Sequence, residues 1–223
     1  MRNNAELQKD VQDAIKWEPL LNAAEIGVTV NDGIVTLSGT VDSYVKKLEA
    51  ENATKNVAGV KAIVEKIEIR FSNSWSKSDN EIAVEVLNAL KWNWQVPSDK
   101  IRVKVEDGWI TLEGELTWNY QSEAAKNAIH HLMGVKGVTN NITIKPDIND
   151  TIEQHDVEAA LERNGSIDAS EIYVKVSGTK VTLTGTVNSW YDKDEAARIA
   201  WNTPGIWKVE NEIEVEYDYS LME

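Results

Sequence analysis

The sequence predicts an α+β fold written three times: three tandem αββαβ modules, each a two-layer sandwich of two helices on a mixed three-stranded sheet. Three observations predict it. Runs ending in Thr-Leu-x-Gly recur at residues 35–39, 110–114 and 181–185, offset by 75 and then 71 positions. A second glycine, at Gly59, Gly134 and Gly205, and a valine, at Val11, Val86 and Val157, keep those same offsets. Within each copy the apolar period switches in a fixed order between about 3.6, the helical repeat, and about 2, the strand repeat.

Each copy opens on a helix. In the second, Ile82, Val86, Ala89 and Leu90 form one apolar stripe behind a candidate cap at Asp79. The first copy repeats it with Leu7, Val11, Ala14 and Ile15. The third keeps Val157, Ala160 and Leu161 but has Glu153 where Ile82 would map, so its helix is expected to start differently. Strict alternation follows in Ile26, Val28 and Val30, in Ile101, Val103 and Val105, and in Ile172, Val174 and Val176. These read as half-buried strands. Asp32-Gly33 and Asp107-Gly108 supply tight turns into the Thr-Leu-x-Gly strand, making a hairpin. In the third copy Gly178 stands one position earlier, which predicts a different turn.

A second helix carries Ala50, Ala53, Thr54 and Val57, then Ala125, Ala128, Ile129 and Leu132, then Ala196, Ile199, Ala200 and Thr203. Small residues on that stripe let a helix lie close on a sheet. Gly59, Gly134 and Gly205 are expected to end it as left-handed C′ residues. A last strand follows with Ile63, Ile67 and Ile69, with Ile142 and Ile144, or with Ile213 and Val215. Modules are placed at residues 5–71, 78–146 and 150–218, with linkers near 72–78 and 145–149 short enough to restrict their orientation.

Charge excludes more than it selects. The net charge is −14, unevenly spread. Residues 1–72 carry nine basic against eleven acidic side chains, 73–146 eight against nine, and 147–223 six against seventeen. So acidic a last third repels phosphate backbones, and nucleic acid is not an expected partner. The absence of cysteine removes disulfides, thiolate nucleophiles and thiolate metal ligands together. No apolar run approaches the ~18 residues of a membrane span. The first residues lack the apolar core of a signal peptide, so a cytoplasmic location is expected, or a periplasmic one if a leader has been removed.

The run from Asn31 to Val41, its counterparts at 106–116 and 177–187, and the Gly-Val or Gly-Ile steps at 59–60, 134–135 and 205–206 resemble the BON domain. This bacterial module occurs in hyperosmotically inducible proteins and transport-associated proteins. The resemblance covers nearly the whole chain three times. It implies a binding role, with phospholipid membranes the usual proposal, and an association with osmotic or envelope stress. No catalytic residue is carried over. The motif glycines, Gly33, Gly39, Gly59, Gly108, Gly114, Gly134, Gly185 and Gly205, account for the fold rather than for a ligand.

No P-loop, dinucleotide fingerprint, nucleophile elbow or zinc spacing is present, so no enzyme, cofactor or metal site is expected. His130 and His131, adjacent on a helix, point about 100° apart and do not converge on a metal. Glu210, Glu212, Glu214 and Glu216 alternate along a strand and share a face, read as a solvated edge rather than a cation site. Nine tryptophans are the unusual feature. Trp17 and Trp92 hold equivalent positions at a helix end and are expected to pack, against the next module for instance. Tyr44, Trp118, Tyr120, Trp190 and Tyr191 cluster just before the second helices and form the candidate binding surface. The expected partner is a phospholipid surface or another protein, with a potassium-like ion or small-ligand sensor as the alternative.

Overall fold

A computed structural model describes residues 3–71, 77–145 and 154–216. Each of its three repeats follows the order helix, hairpin, helix, strand. The first comprises α1 (Asn4–Trp17), β1 (Ile26–Asn31), β2 (Ile34–Val41), α2 (Tyr44–Lys55) and β3 (Ala62–Ile69). The second comprises α3 (Asp79–Trp92), β4 (Ile101–Glu106), β5 (Trp109–Leu116), α4 (Asn119–Ile129) and β6 (Gly137–Ile144). In the third are α5 (Gln154–Glu162), β7 (Ile172–Ser177), β8 (Lys180–Val187), α6 (Trp190–Trp201), β9 (Lys208–Asn211) and β10 (Glu214–Val215). The linker readings at 72–76 and 146–149 and the mismatch at Glu153 lie outside the described residues.

Every sheet places the hairpin's second strand in the middle. The hairpins are antiparallel, with Ile26 opposite Gly39, Ile101 opposite Gly114 and Ile172 opposite Gly185. The last strand returns parallel to the middle one, Trp109 to Leu116 pairing with Gly137 to Ile144. A parallel return needs a crossover, and the second helix supplies it. The apolar stripes meet over one sheet face: Ile82, Val86, Leu90, Ile110, Leu112, Ala125 and Ile129 are buried together in the second module. Val157, Leu161, Val181, Leu183, Ala196 and Ala200 do the same in the third.

The central glycine is dictated by distance. A Cβ on Gly39, Gly114 or Gly185 would lie 2.0, 2.3 or 1.9 Å from the carbonyl oxygen of Glu25, Lys100 or Glu171. Their φ angles, +135°, +156° and +117°, exclude other residues as well. The turns differ as the glycine positions predict. Asp32-Gly33 and Asp107-Gly108 have positive φ at both residues, the type I′ pattern, whereas only Gly178 does in the third hairpin, the type II′ pattern.

Four sequence expectations are corrected. Asp79 does not cap α3; Ser78 does, in a capping box with Glu81. As the first helical residue, Asp79 instead accepts hydrogen bonds from the backbone N–H groups of Asp107 and Gly108, at 2.8 and 2.9 Å, and so ties the helix to the hairpin turn. Asn4 does the equivalent for Asp32 in the first module. Gly59, Gly134 and Gly205 are left-handed, but they stand four or five residues beyond the helix ends. An additional turn comes first, and the glycine launches the last strand rather than stopping the helix. That last strand is split in the third module, between Asn211 and Glu214. Leu183 pairs with Asn211 and Thr186 with Glu214, so the register is the same on both sides and no residue is inserted. Ile213, in the gap, is buried. The fourth correction concerns Trp17 and Trp92, and belongs with the surface described below.

One repeated device carries no sequence label. Glu65, Asn140 and Asn211 occupy equivalent positions, and the side-chain oxygen of each accepts from the backbone N–H two residues on, at Ile67, Ile142 and Ile213. Asn140 also donates to the Ser122 hydroxyl at 2.8 Å, and Asn211 to the Lys193 carbonyl at 2.7 Å. The last strand is thereby bonded to its own module's second helix.

Replacing Gly114 by alanine drives a methyl group into the Lys100 carbonyl, and backbone strain of this kind costs about 1–3 kcal/mol. Urea titration of Gly114→Ala is expected to show at least that loss. An equally stable variant would remove the close approach from the account of the fold.

Candidate functional site

The described residues group into two compact units. One gathers residues 3–40, 48–68 and 154–216; the other gathers residues 41–47, 69–71 and 77–145. The five candidate aromatics do not form one patch. Tyr44, in the second unit, packs on the second module's core. With Val45 and Phe71 it lines a cavity of about 350 Å³ whose other wall is the segment His130 to Gly134.

Trp190, in the first unit, is also engaged. Its indole N–H donates to the Lys61 carbonyl at 3.2 Å, and the Lys55 ammonium lies 5.9 Å from the ring centre. Lys55 is held between Glu51, at 3.1 Å, and Asp194, at 3.4 Å. Burial opposes its charge, but the two carboxylates outweigh burial and raise its pKa above the ordinary lysine value. Only Trp118, Tyr120 and Tyr191 of the five present a largely open ring, at 38, 47 and 43 % exposure. The Trp118 backbone N–H is satisfied by the Gln121 side chain, which starts α4.

A more exposed surface lies elsewhere. Trp17 and Trp92 are 83 and 86 % exposed, so they do not pack. Each is the last residue of its helix, past the point where the apolar stripe turns inward at Ile15 or Leu90. Trp94 reaches 89 %, and on α3 both Val84 and Leu87 are more than half exposed. Val84 and Leu87 stand three apart, outside the buried stripe of Ile82, Val86 and Leu90, so the apolar surface of α3 extends into solvent. That extension was readable: the equivalent residues are Lys9 and Gln12 in the first helix, His155 and Glu158 in the third. Lys16 and Lys91 precede the two helix-end tryptophans.

The ionisable groups show no gathered chemistry. Glu210 is paired with Lys180 and Lys208, which hold its carboxyl below the ordinary value. Among the described residues no three His, Cys, Asp or Glu side chains converge as a metal site. No described helix is long and apolar enough to cross a membrane. His130 and His131 meet edge to face, their ring centres 4.8 Å apart. Burial, and then the neighbouring His131, push the His130 pKa below the ordinary imidazole value.

Comparison with known proteins follows the repeat. The family model described as BON domain matches residues 3–70, 78–146 and 149–217. Osmotically-inducible protein Y of Escherichia coli (strain K12) is 30% identical over 129 residues, a match covering 56% of this chain and 64% of the relative, less than two thirds of its length. Among solved structures, CdsD, a structural protein of the type III secretion system of Chlamydia trachomatis, aligns over 97% of this chain and 95% of its own at 18% identity. The TM-score is 0.26. The PrgH periplasmic domain aligns over 92% of this chain and 98% of its own, at 12% identity and a TM-score of 0.21. Neither score supports an argument from shape.

A histidine whose pKa is lower folded than unfolded binds its proton more readily in the unfolded chain. Stability is then complete above the unfolded pKa, near 6.5, and is lost as pH falls toward the lower folded value. Melting temperatures between pH 7.5 and 5 are expected to fall, and His130→Gln should shallow that slope. An unchanged slope would mean that His130 is not the group responsible.

Proposed function

Because this chain belongs to the BON domain family, in three successive copies, we propose that it is a non-catalytic binding protein associated with osmotic or envelope stress, with a phospholipid surface as its target. The observation that supports lipid most directly is the set of exposed apolar side chains on and just after α3, namely Val84, Leu87, Trp92 and Trp94. Large exposed apolar side chains gathered on one element suit an interaction site, and indole rings favour the boundary between headgroups and acyl chains. Trp17 and Leu20 offer a smaller copy of that surface in the first module. The binding units are taken as residues 5–71, 78–146 and 150–218, whose combined weak contacts would add through avidity.

Magnitudes decide what kind of binding this is. Each large apolar side chain fully withdrawn from water contributes roughly 1.5–3 kcal/mol. A lysine near an anionic surface contributes about 1 kcal/mol, and salt screens it. Lys16 and Lys91 therefore orient the contact, while Trp92, Trp94, Val84 and Leu87 supply most of its strength. The net charge of −14 does not oppose this, because the first two modules are close to neutral. The relative's name, an osmotically inducible protein, supports the stress association.

Co-sedimentation with phosphatidylethanolamine–phosphatidylglycerol vesicles tests the reading. The intact chain is expected to pellet with the vesicles and to lose little on raising salt. The double variant Trp92→Ala/Trp94→Ala should bind at least about tenfold more weakly, a loss of 1.4 kcal/mol or more. A chain that stays in the supernatant at low salt would exclude lipid as the target.

A further inference from the structure

The two engaged aromatics of the candidate surface hold the same repeat position. Under the offsets of the repeat, Tyr44, Asn119 and Trp190 are equivalent, as are Val45, Tyr120 and Tyr191. Lys55, His130 and Trp201 are likewise equivalent, and so are Lys61, Lys136 and Trp207. In the first unit the start of α6, at Trp190, sits on the segment from Lys55 to Lys61 that follows α2. In the second unit the start of α2, at Tyr44 and Val45, faces the segment from His130 to Gly134 that follows α4. In both units the start of one module's second helix thus lies beside the segment that follows another's. Such a contact is heterologous: it joins two different surfaces, so each use leaves one of each kind free for the next.

Three modules carry three starts and three ends. The start not used in either contact belongs to the second module, where Trp118 and Tyr120 flank Asn119 and remain open to solvent. The remaining end belongs to the third, where Trp201 and Trp207 stand at the positions of Lys55 and Lys61. Trp201 is partly buried against its own module's core, and Asn202 and Pro204 between the two tryptophans are exposed. Asn119 can donate to a backbone carbonyl as the Trp190 indole does to that of Lys61.

We propose that this chain associates with a second copy of itself, head to tail, the Trp118–Tyr120 face of one copy docking on the 201–207 segment of the other. Charge favours this pairing over one between two third modules. Residues 147–223 hold an excess of eleven acidic side chains, which would repel a second such surface, whereas residues 73–146 are within one charge of neutral. The contact is separate from the lipid surface, since neither Trp92 nor Trp94 takes part in it.

Sedimentation velocity of the full chain from about 1 μM to about 1 mM tests the proposal. The wild type is expected to grow beyond a dimer with concentration. Tyr120→Glu removes the start and Pro204→Glu the end; both side chains are exposed, and each variant alone should associate at least about tenfold more weakly than the wild type. Mixed together, the intact end of one meets the intact start of the other, so the mixture should form a dimer and nothing larger. A wild type that stays monomeric throughout, variants that associate as it does, or a mixture that remains monomeric would each overturn the proposal. Should either charge lower the melting temperature, Tyr120→Ser and Asn202→Arg repeat the same design.

Discussion

The approach of a backbone carbonyl to a glycine Cα organises each module. Where Glu25, Lys100 or Glu171 hands the chain to the hairpin's first strand, its oxygen occupies the space that a side chain on Gly39, Gly114 or Gly185 would fill. This fixes the far end of the hairpin as firmly as the turn fixes the near end. Register follows, and with it the side of the sheet that Val28, Leu37 and their counterparts face. The helices are then placed by what they can cover. An alanine-rich second helix lies close because Ala50, Ala125 and Ala196 are fully buried against the sheet.

The architecture was legible because local signals agreed with one another and were repeated. Alternation in Ile101, Val103 and Val105, the Asp107-Gly108 turn and the following Thr-Leu-x-Gly run each specify part of one hairpin. The displaced Gly178 announced its different turn. Less legible were bonds that need the third dimension. Asp79 reads as a cap because caps are local, yet its carboxylate serves a turn 28 residues away. Glu65, Asn140 and Asn211 look unrelated in type, and only the register reveals that each accepts from the backbone two residues on.

The candidate surface was legible only in part, for a related reason. Repetition of Trp17 and Trp92 reads as a mark of packing, since shared positions usually serve a shared core. Both rings instead project beyond the helix end, because the inward stripe finishes two residues earlier. Trp190, by contrast, stands one repeat position beyond Trp118, at the place of Asn119, and Lys55 and Lys61 engage it. Which aromatics are free depends on how modules meet, and no periodicity within a module encodes that.

Three alike hairpins on one chain raise a problem of sorting during synthesis, since each is completed by a strand that emerges later. The side-chain bonds of the last strand address it. Asn140 donates to Ser122 and Asn211 to the Lys193 carbonyl, while Glu65 has no N–H to offer. A first-module strand delivered to the third hairpin would set a carboxylate where an amide belongs, against the Lys193 carbonyl. A mismatched exchange of strands is therefore penalised at one position, even though the backbone pairing would accept it.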